Sequence, residues 1–247
     1  MYIREITRAN NYTMNSLNTK KYEHLFFDLD DTVTRSRSPI TKKMKMRLEK
    51  LSKTIVIVSG ASVKQIRKQV GDLECFMLGQ NGNHAVFGDK ELWYDTLNPD
   101  KVIEIMDHVS KFKLPWNVPD ENDLLENRGC QISYSIYGHH APVEEKEAFD
   151  PDKKKREELL RNNPLNSEDV DIKIAGTTTF DYTRKGRHKG YHITRLIEHM
   201  NWNKDECLYF GDSLFEGGND HSVVDVIDTQ EVENHIDTYE KLSNFLE

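Results

Sequence analysis

The chain has 247 residues, of which 36% are hydrophobic and 31% are charged, and its formal net charge is −8. This is the composition of a folded protein, with enough residues for a main domain and a smaller module. The acidic balance argues against general binding to DNA or RNA, which requires a basic field, and no apolar run approaches the roughly 18 residues of a membrane span.

The first 20 residues form a polar stretch without the apolar segment of a signal peptide. We interpret residues 1–20 as an N-terminal extension. The three cysteines are far apart and show no CxxC spacing, so neither a zinc site nor a disulfide framework is predicted. A cytoplasmic location is therefore expected.

Short apolar runs alternate with helical patterns in the first third of the chain. Thr41 is placed to cap the first helix, and Gly71 is placed to end the second. Such alternation is typical of a parallel sheet covered by helices. The predicted strands are His24–Phe27, Ile55–Val58 and Cys75–Leu78.

The pattern changes after Gln80, where Asn81-Gly82 and Gly88-Asp89 predict hairpin turns. It returns to strand and helix alternation near the C-terminus. We therefore predict an α/β fold with a discontinuous, Rossmann-like core (residues 21–94 and 186–247) and an inserted α/β cap (residues 95–185). The later predicted elements are a helix after Pro99, strands Gln131–Tyr137 and Asp171–Ile174, a charged helix around Lys153–Leu160, a helix Tyr191–Met200 and a strand Cys207–Phe210.

Polar groups follow the core strands or begin a core helix. They are Asp28, Asp30, Ser59, Lys189 and Asp212. Ligands of open α/β sheets bind at the carboxyl ends of the strands, so these groups are expected to converge.

Paired carboxylates suit phosphoryl transfer. One carboxylate can attack phosphorus, while the other protonates the leaving oxygen and later activates water. A charged phosphoryl group beside several carboxylates needs a cation, which implies Mg²⁺ with its preference for oxygen ligands. Lys189 and the Ser59 hydroxyl can hold the remaining phosphate oxygens.

Each of these signals has an ordinary structural explanation when taken alone. Asp28 to Asp31 suit a solvated turn, Ser59-Gly60 suits a helix cap, and Lys189 suits a surface position. Their order along the chain, each at a strand end or a helix start, favours the functional interpretation.

Four segments resemble, in order, the four motifs of the haloacid dehalogenase phosphatase superfamily. The resemblance implies that Asp28 is the nucleophile and Asp30 the general acid and base. It also implies that Mg²⁺ is held by Asp28, the Asp30 carbonyl and Asp212. The four segments are Phe27–Val33, Val58–Gly60, Lys189 and Phe210–Ser213.

A closer resemblance, from Leu25 to about Asp220, is to the eukaryotic-type phosphomannomutases of that superfamily. It is carried by Phe210–His221 and by Thr179–Asp181 with Gly186 before Lys189. The resemblance implies a small phosphorylated substrate, a sugar phosphate, and suggests a homodimer. It places Arg37 and Arg128 at phosphate or substrate positions, and Glu144–Lys155 is similar to the family's charged cap helix.

The chain departs from that family in the cap and just before Lys189. His139 and Lys146 stand where the family has two arginines that grip a second phosphate, and Arg187-His188 replaces a Trp-Asp pair. Histidine is a weaker anion ligand than an arginine fork. Hydrolysis of a sugar phosphate is therefore the leading hypothesis, and phosphomannomutase activity is the alternative.

Other assignments stay open at this stage. Arg128, Lys146 and Asp181 suit either substrate contacts or ordinary surface charges, and Asp181 suits sugar hydroxyls. Asn219 and Asp220 suit either hydrogen bonds around the metal or a helix cap. A phospho-aspartate receiver module is disfavoured because its acceptor follows a later strand than its acid pair, and nothing favours a catalytically dead binding protein.

Overall fold

The computed structural model describes residues 18–246 of the chain. Residues 1–17 and 247 lie outside this part, so the extension predicted over residues 1–20 falls almost entirely outside it. Among the described residues, no helix is both long and apolar enough to cross a membrane. The helices are α1 (Lys42–Glu49), α2 (Val63–Val70), α3 (Pro99–Val109), α4 (Val143–Phe149), α5 (Lys154–Asn162), α6 (Lys189–Met200) and α7 (His235–Lys241).

The larger sheet has seven strands. They are β1 (His24–Phe27), β2 (Thr54–Val58), β3 (Phe76–Gly79), β4 (His84–Phe87), β5 (Lys90–Tyr94), β10 (Cys207–Gly211) and β11 (Asp228–Glu231). Their order across the sheet is β11-β10-β1-β2-β3-β4-β5. The first five strands of this order run parallel, and β4 and β5 continue the sheet as an antiparallel hairpin.

The register of this sheet brings the ends of its central strands level. Phe27 on β1 pairs with Ile57 on β2 and with Phe210 on β10. The residues that follow these strands therefore emerge side by side at one edge of the sheet.

Helices cover both faces of the larger sheet because its strands are apolar on both faces. Leu25 and Phe27 point into a core shared with α1 and α2, whereas Phe26 points into a core shared with α6. The predicted cap at Thr41 is present, since its side chain accepts a hydrogen bond from the Met44 N–H. The predicted stop at Gly71 is also present, at a φ of 65°.

The smaller sheet has the strands β6 (Leu125–Asn127), β7 (Gln131–Ser135), β8 (Val170–Ala175) and β9 (Thr179–Arg184). It is antiparallel throughout, and its order is β6-β7-β9-β8. One face packs against α3 and α5 through an apolar cluster that includes Ile132, Tyr134, Phe180 and Tyr182. The opposite face carries a polar row across the four strands, since Glu126 pairs with Ser133, Ser133 with Asp181 and Asp181 with Lys173.

The α/β fold class, with its mostly parallel central sheet, is confirmed. The charged segment Glu144–Lys155 differs from the expectation of one helix, because α4 ends at Phe149 and α5 begins at Lys154. Lys153 adopts a left-handed conformation between them, with a φ of 62°. A buried ion pair from Arg156 to Asp150, at 2.6 Å, closes this break.

Candidate active site

The centre of the candidate site is the side chain of Lys189, which is 1% exposed. Its Nζ lies 2.5 Å from Asp28 Oδ1 and 2.7 Å from Asp220 Oδ1. The Tyr209 hydroxyl donates a hydrogen bond of 2.7 Å to the same oxygen of Asp220. Four side chains from distant parts of the sequence thus form one buried network.

The backbone around these side chains explains how they meet. Asp28 directly follows β1, and its N–H donates to the Phe210 carbonyl on β10 at 2.9 Å. Lys189 is the first residue of α6, and the next residue, Gly190, packs directly on the short 3-10 helix after Asp220, His221–Val223. A Cβ on Gly190 would lie 1.9 Å from the Ser222 carbonyl oxygen. Only glycine allows this approach, which brings Lys189 beside Asp220.

A third carboxylate completes the cluster. Asp28, Asp212 and Asp220 each have a carboxylate oxygen within 4.8 Å of the others. Asp212 is half-buried and accepts a hydrogen bond of 3.1 Å from the Ser213 hydroxyl. Three acidic groups and a single ammonium group therefore share this space.

Burial, together with this imbalance of charge, changes the pKa values of the cluster. Burial raises the pKa of Asp28 to about 7, with Lys189 opposing the shift and the charges of Asp220 and Asp212 adding to it. Burial also raises the pKa of Asp212. For Lys189, burial acts to lower the pKa, but the charges of Asp28 and Asp220 outweigh it and the pKa is raised. The ammonium stays charged, and the excess of negative charge favours a cation.

The donor set suits a hard divalent ion. Carboxylate oxygens are the ligands that Mg²⁺ prefers, and two of them at a strand edge leave room for substrate oxygens. Asp28 and Asp212 are the residues best placed to hold such an ion, because Asp220 is occupied by Lys189 and Tyr209.

Asp30 lies next to this cluster but is held differently. It is half-buried, and its Oδ1 accepts a hydrogen bond of 2.6 Å from the backbone N–H of Arg37. The turn between them is tight, with Asp31 at a φ of 60° and Arg37 at a φ of 53°. The Arg37 side chain is exposed.

Ser59 is 3% exposed and follows β2, the neighbour of β1. Its Oγ accepts a hydrogen bond of 3.1 Å from the Ala61 N–H, so its hydroxyl proton remains available to another acceptor. Its carbonyl accepts from the Asn81 N–H at 2.8 Å. Ser59 makes no hydrogen bond to Asp28 or Lys189 among the described contacts.

The remaining predicted residues lie on or beside the smaller sheet, and their hydrogen bonds and ion pairs described within residues 18–246 join them to partners other than Asp28 and Lys189. Arg128 pairs with Glu126 at 2.6 Å. Lys146 donates to the backbone carbonyl of His139 at 2.8 Å. Asp181 accepts from the Ser133 hydroxyl at 2.6 Å.

Two residues of the network were not assigned to it from the sequence. Tyr209 lies in an apolar run, where an aromatic residue is expected to be ordinary core. For Asp220 the sequence allows either a role near the metal or a helix cap, and the structure shows it 0% exposed beside Lys189. The exposed neighbour Asn219 does not share this position.

Known proteins are similar to this chain over most of its length. A curated phosphomannomutase of Encephalitozoon cuniculi (strain GB-M1) is 29% identical over 238 residues, covering 89% of this chain and 92% of that protein. The phosphomannomutase of Spinacia oleracea is 26% identical over 213 residues, covering 80% and 84% respectively.

Solved structures share the fold. A Streptococcus mutans UA159 protein has a TM-score of 0.67 at 16% identity, covering 91% of this chain and 99% of that chain. The family model described as haloacid dehalogenase-like hydrolase matches residues 25–228. The chain therefore belongs to the haloacid dehalogenase-like hydrolase family.

Proposed function

We propose that this protein transfers the phosphoryl group of a small sugar phosphate to Asp28 and then hydrolyses the aspartyl-phosphate. The observation that carries the proposal is the contact of Lys189 with Asp28, in a buried cluster with Asp212. A carboxylate held at 2.5 Å from an ammonium is oriented for attack, and the ammonium balances charge on the phosphoryl oxygens.

Each core residue then has a distinct role. Asp28 Oδ2 attacks phosphorus while Oδ1 is held by Lys189. Asp30 protonates the leaving oxygen and then takes a proton from the attacking water, because the Arg37 N–H holds only its Oδ1. The Ser59 hydroxyl donates to a phosphate oxygen. Asp28, the Asp30 carbonyl and Asp212 would hold Mg²⁺, which when bound would supply positive charge to the phosphoryl group.

The smaller sheet serves as a cap that selects the substrate. We assign residues 95–185 to this cap and the flanking residues, 21–94 and 186–247, to the core. Burial lowers the pKa of the His188 ring beside Lys189, while the charge of Lys173 adds to this shift and that of Asp171 opposes it. From the influence of these two β8 residues we infer that the polar face containing Asp181 is directed toward the core. Asp181 offers acceptors for sugar hydroxyls, while Arg128, Lys146 and Arg37 offer cations at the rim.

Hydrolysis is favoured over phosphoryl return because the cap lacks a strong second anion site. A mutase must bind a bisphosphate in two orientations, which requires a phosphate site in the cap as well as in the core. Here Arg128 is already paired with Glu126, and Lys146 is bonded to a backbone carbonyl. His139 bonds the Ser133 carbonyl at 3.2 Å.

Phosphomannomutase activity is the second candidate. It is favoured by the curated relatives of that name, which span most of their own length in the alignment with this chain. Under this candidate, the phosphoryl group on Asp28 passes to the hydroxyl at the other end of the sugar phosphate instead of to water, and the Asp28 carboxylate is regenerated.

One assay separates the two candidates. The purified protein is given Mg²⁺, mannose 1-phosphate and a catalytic bisphosphate, and both free phosphate and mannose 6-phosphate are measured over time. Accumulation of free phosphate supports hydrolysis, and accumulation of mannose 6-phosphate supports the mutase. A parallel panel of sugar phosphates identifies the preferred ester. Absence of both products across the panel would contradict the proposed function.

A further inference from the structure

Tyr209 is a buried polar group that the proposed chemistry does not use. It lies on β10 with its ring in the apolar core beneath α6, among Ile193 and Leu196, and it is 0% exposed. Its hydroxyl emerges from that core at Asp220. An apolar phenylalanine would fill the same core space, so the hydroxyl calls for a separate explanation.

The hydroxyl completes the hydrogen bonding of Asp220. Asp220 Oδ1 accepts from both Tyr209 and Lys189, each at 2.7 Å, and Oδ2 accepts from the Ser213 N–H at 3.4 Å. Burial raises the pKa of Tyr209 well above its ordinary value, so the hydroxyl is a neutral donor. Both carboxylate oxygens of Asp220 are therefore engaged within the protein.

The backbone is built to admit this pair. A Cβ on Gly211 would lie 2.5 Å from Asp220 Oδ2 and 2.7 Å from Tyr209 Cε1. A residue larger than glycine would force the carboxylate and the ring apart. Gly211, the last residue of β10, thus leaves room for the Asp220 carboxylate to contact Tyr209.

We propose that Tyr209 is a positioning residue that holds the Asp220 carboxylate against Lys189 and prevents this carboxylate from binding the metal. The need is geometric, because an oxygen of Asp220 lies within 4.8 Å of oxygens of Asp28 and Asp212, close enough to compete for the same cation. With the hydroxyl in place, Asp220 anchors the ammonium, and Asp28 and Asp212 supply the metal ligands. This inference rests on the proposed phosphoryl transfer for its catalytic consequence only.

The direct test is the binding of Mn²⁺, a spectroscopically visible substitute for Mg²⁺, to the protein without substrate. Removing the hydroxyl with Tyr209→Phe leaves Lys189 as the remaining donor to Asp220 Oδ1, so this oxygen gains a free lone pair with which to bind the cation. Because affinity rises with the number of charged ligands, we expect Mn²⁺ to bind on the order of tenfold more tightly, measured by electron paramagnetic resonance titration. In an Asp220→Asn background, the same substitution should have no effect on Mn²⁺ affinity.

Tyr182→Phe is the matched control. Tyr182 is also 0% exposed, and its hydroxyl lies 2.8 Å from His108 Nδ1 in the core of the smaller sheet. Its loss should lower the melting temperature without changing Mn²⁺ affinity. A purely structural role for Tyr209 would make the two tyrosine variants behave alike.

The catalytic consequence is a loss of kcat with little change in KM, because Lys189 is less firmly held while the substrate contacts remain. We expect kcat of Tyr209→Phe to fall on the order of tenfold. Unchanged or weaker Mn²⁺ binding, an unchanged kcat, or an equal Mn²⁺ effect in the Asp220→Asn background would overturn the proposal. Mn²⁺ binding is measured without turnover. If the proposed function alone is wrong, the Mn²⁺ titration therefore still tests the role of Tyr209.

Discussion

Lys189 Nζ lies 2.5 Å from Asp28 Oδ1, although 161 residues separate the two in the sequence. Asp28 follows β1, the middle one of the five parallel strands of the larger sheet, and Lys189 begins the helix that packs beneath it. All four strands of the smaller sheet come from the intervening residues. The contact therefore forms only when the strands and α6 on either side of that segment have come together.

Replacement of the proposed nucleophile is the first test of this contact. Asp28→Asn keeps the shape of the side chain but removes the charge that attacks phosphorus. We expect turnover of any phosphate ester to fall by at least about a thousandfold, as for loss of other catalytic nucleophiles. Phosphate release and circular dichroism, measured on the same preparation, separate loss of chemistry from loss of fold.

The nearby Asp31 offers a matched control for that variant. It is exposed, and its carboxylate accepts only a hydrogen bond of 3.3 Å from the Ser36 N–H among the described contacts. Asp31→Asn should leave turnover within about twofold, since surface changes of this kind are worth less than about 0.5 kcal/mol. Retained activity in Asp28→Asn would contradict the assignment of the nucleophile.

Removal of the ammonium tests the electrostatic balance of the cluster. Lys189→Met leaves the buried carboxylates of Asp28 and Asp220 without their cation. We expect the free energy of unfolding, measured by urea denaturation with a chelator present, to fall by about 3–5 kcal/mol. Added Mg²⁺ should recover part of this loss, because a cation bound only by the folded state stabilises it.

Lys101→Met provides the comparison at the surface. Lys101 also has two acidic partners, Glu104 at 3.1 Å and Asp169 at 2.9 Å, but these pairs are solvent-accessible. Exposed ion pairs contribute little to stability because water screens them, so this variant should be nearly as stable as the wild type. If the free energy of unfolding fell equally in both lysine variants, the buried ion pairs of Lys189 would matter no more for stability than exposed ones.

The parts of the site that could be anticipated from the sequence are those set by strand ends. Apolar runs such as His24–Phe27 indicate where a parallel strand stops, and the polar residue that follows must lie at the same edge as its neighbours. Asp28 and Asp212 were placed this way. The same reasoning missed β9, whose alternation of Phe180 and Tyr182 with polar residues was not recognised as a half-buried strand.

Contacts that depend on how side chains of different elements pack together cannot be predicted from the positions of strand ends. The hydroxyl of Tyr209 meets Asp220 only because Gly211 leaves space for both. Gln80 is a second case, since a polar residue in a turn carries no sign that it will be buried between two sheets. Its exposure is 6%, with a left-handed φ of 53°.

Gln80 is expected to fix the junction between the two sheets. Its Nε2 donates to the Arg128 carbonyl at 3.1 Å, and the Cys130 thiol donates to its Oε1 at 2.5 Å. Gln80→Leu should destabilise the protein by about 1–3 kcal/mol, because buried polar groups lose their partners. It should also raise KM for the preferred ester more than it lowers kcat, since Arg128 belongs to the proposed cap. Steady-state kinetics measure this split, and a change confined to kcat would contradict the role in the junction.

The pH dependence of stability should report on His192, a fully buried residue of α6. Neither of its ring nitrogens has a hydrogen-bond partner among residues 18–246. Burial lowers the pKa of His192 to about 3, with the charge of Asp95 opposing the shift and that of Arg195 adding to it. The folded protein therefore keeps the ring neutral well below the ordinary histidine pKa of about 6.5.

The sign of the effect follows from the depressed pKa. Below about pH 6.5, His192 is protonated in the unfolded chain but stays neutral in the folded protein. The contribution of His192 to stability is therefore fully present above that pH and declines as the pH falls toward 3. The slope for one such group is about 1.4 kcal/mol per pH unit. Replacing the ring by His192→Leu should cost little at pH 7.5, because no hydrogen bond is lost, and should flatten the decline between pH 6 and 4.5, which urea denaturation at each pH measures.

The exposed His140 supplies a contrast of opposite sign. Its hydrogen bond to Asp123, at 2.5 Å, raises the pKa of His140, so any stabilisation from this pair is present at low pH and is lost as the pH rises through the folded pKa. His140→Gln should therefore leave the decline between pH 6 and 4.5 at least as steep as in the wild type, whereas His192→Leu reduces it. Parallel stability curves for the wild type and His192→Leu would show that the buried imidazole is protonated as readily in the folded protein as in the unfolded chain, against the burial that the structure assigns to it.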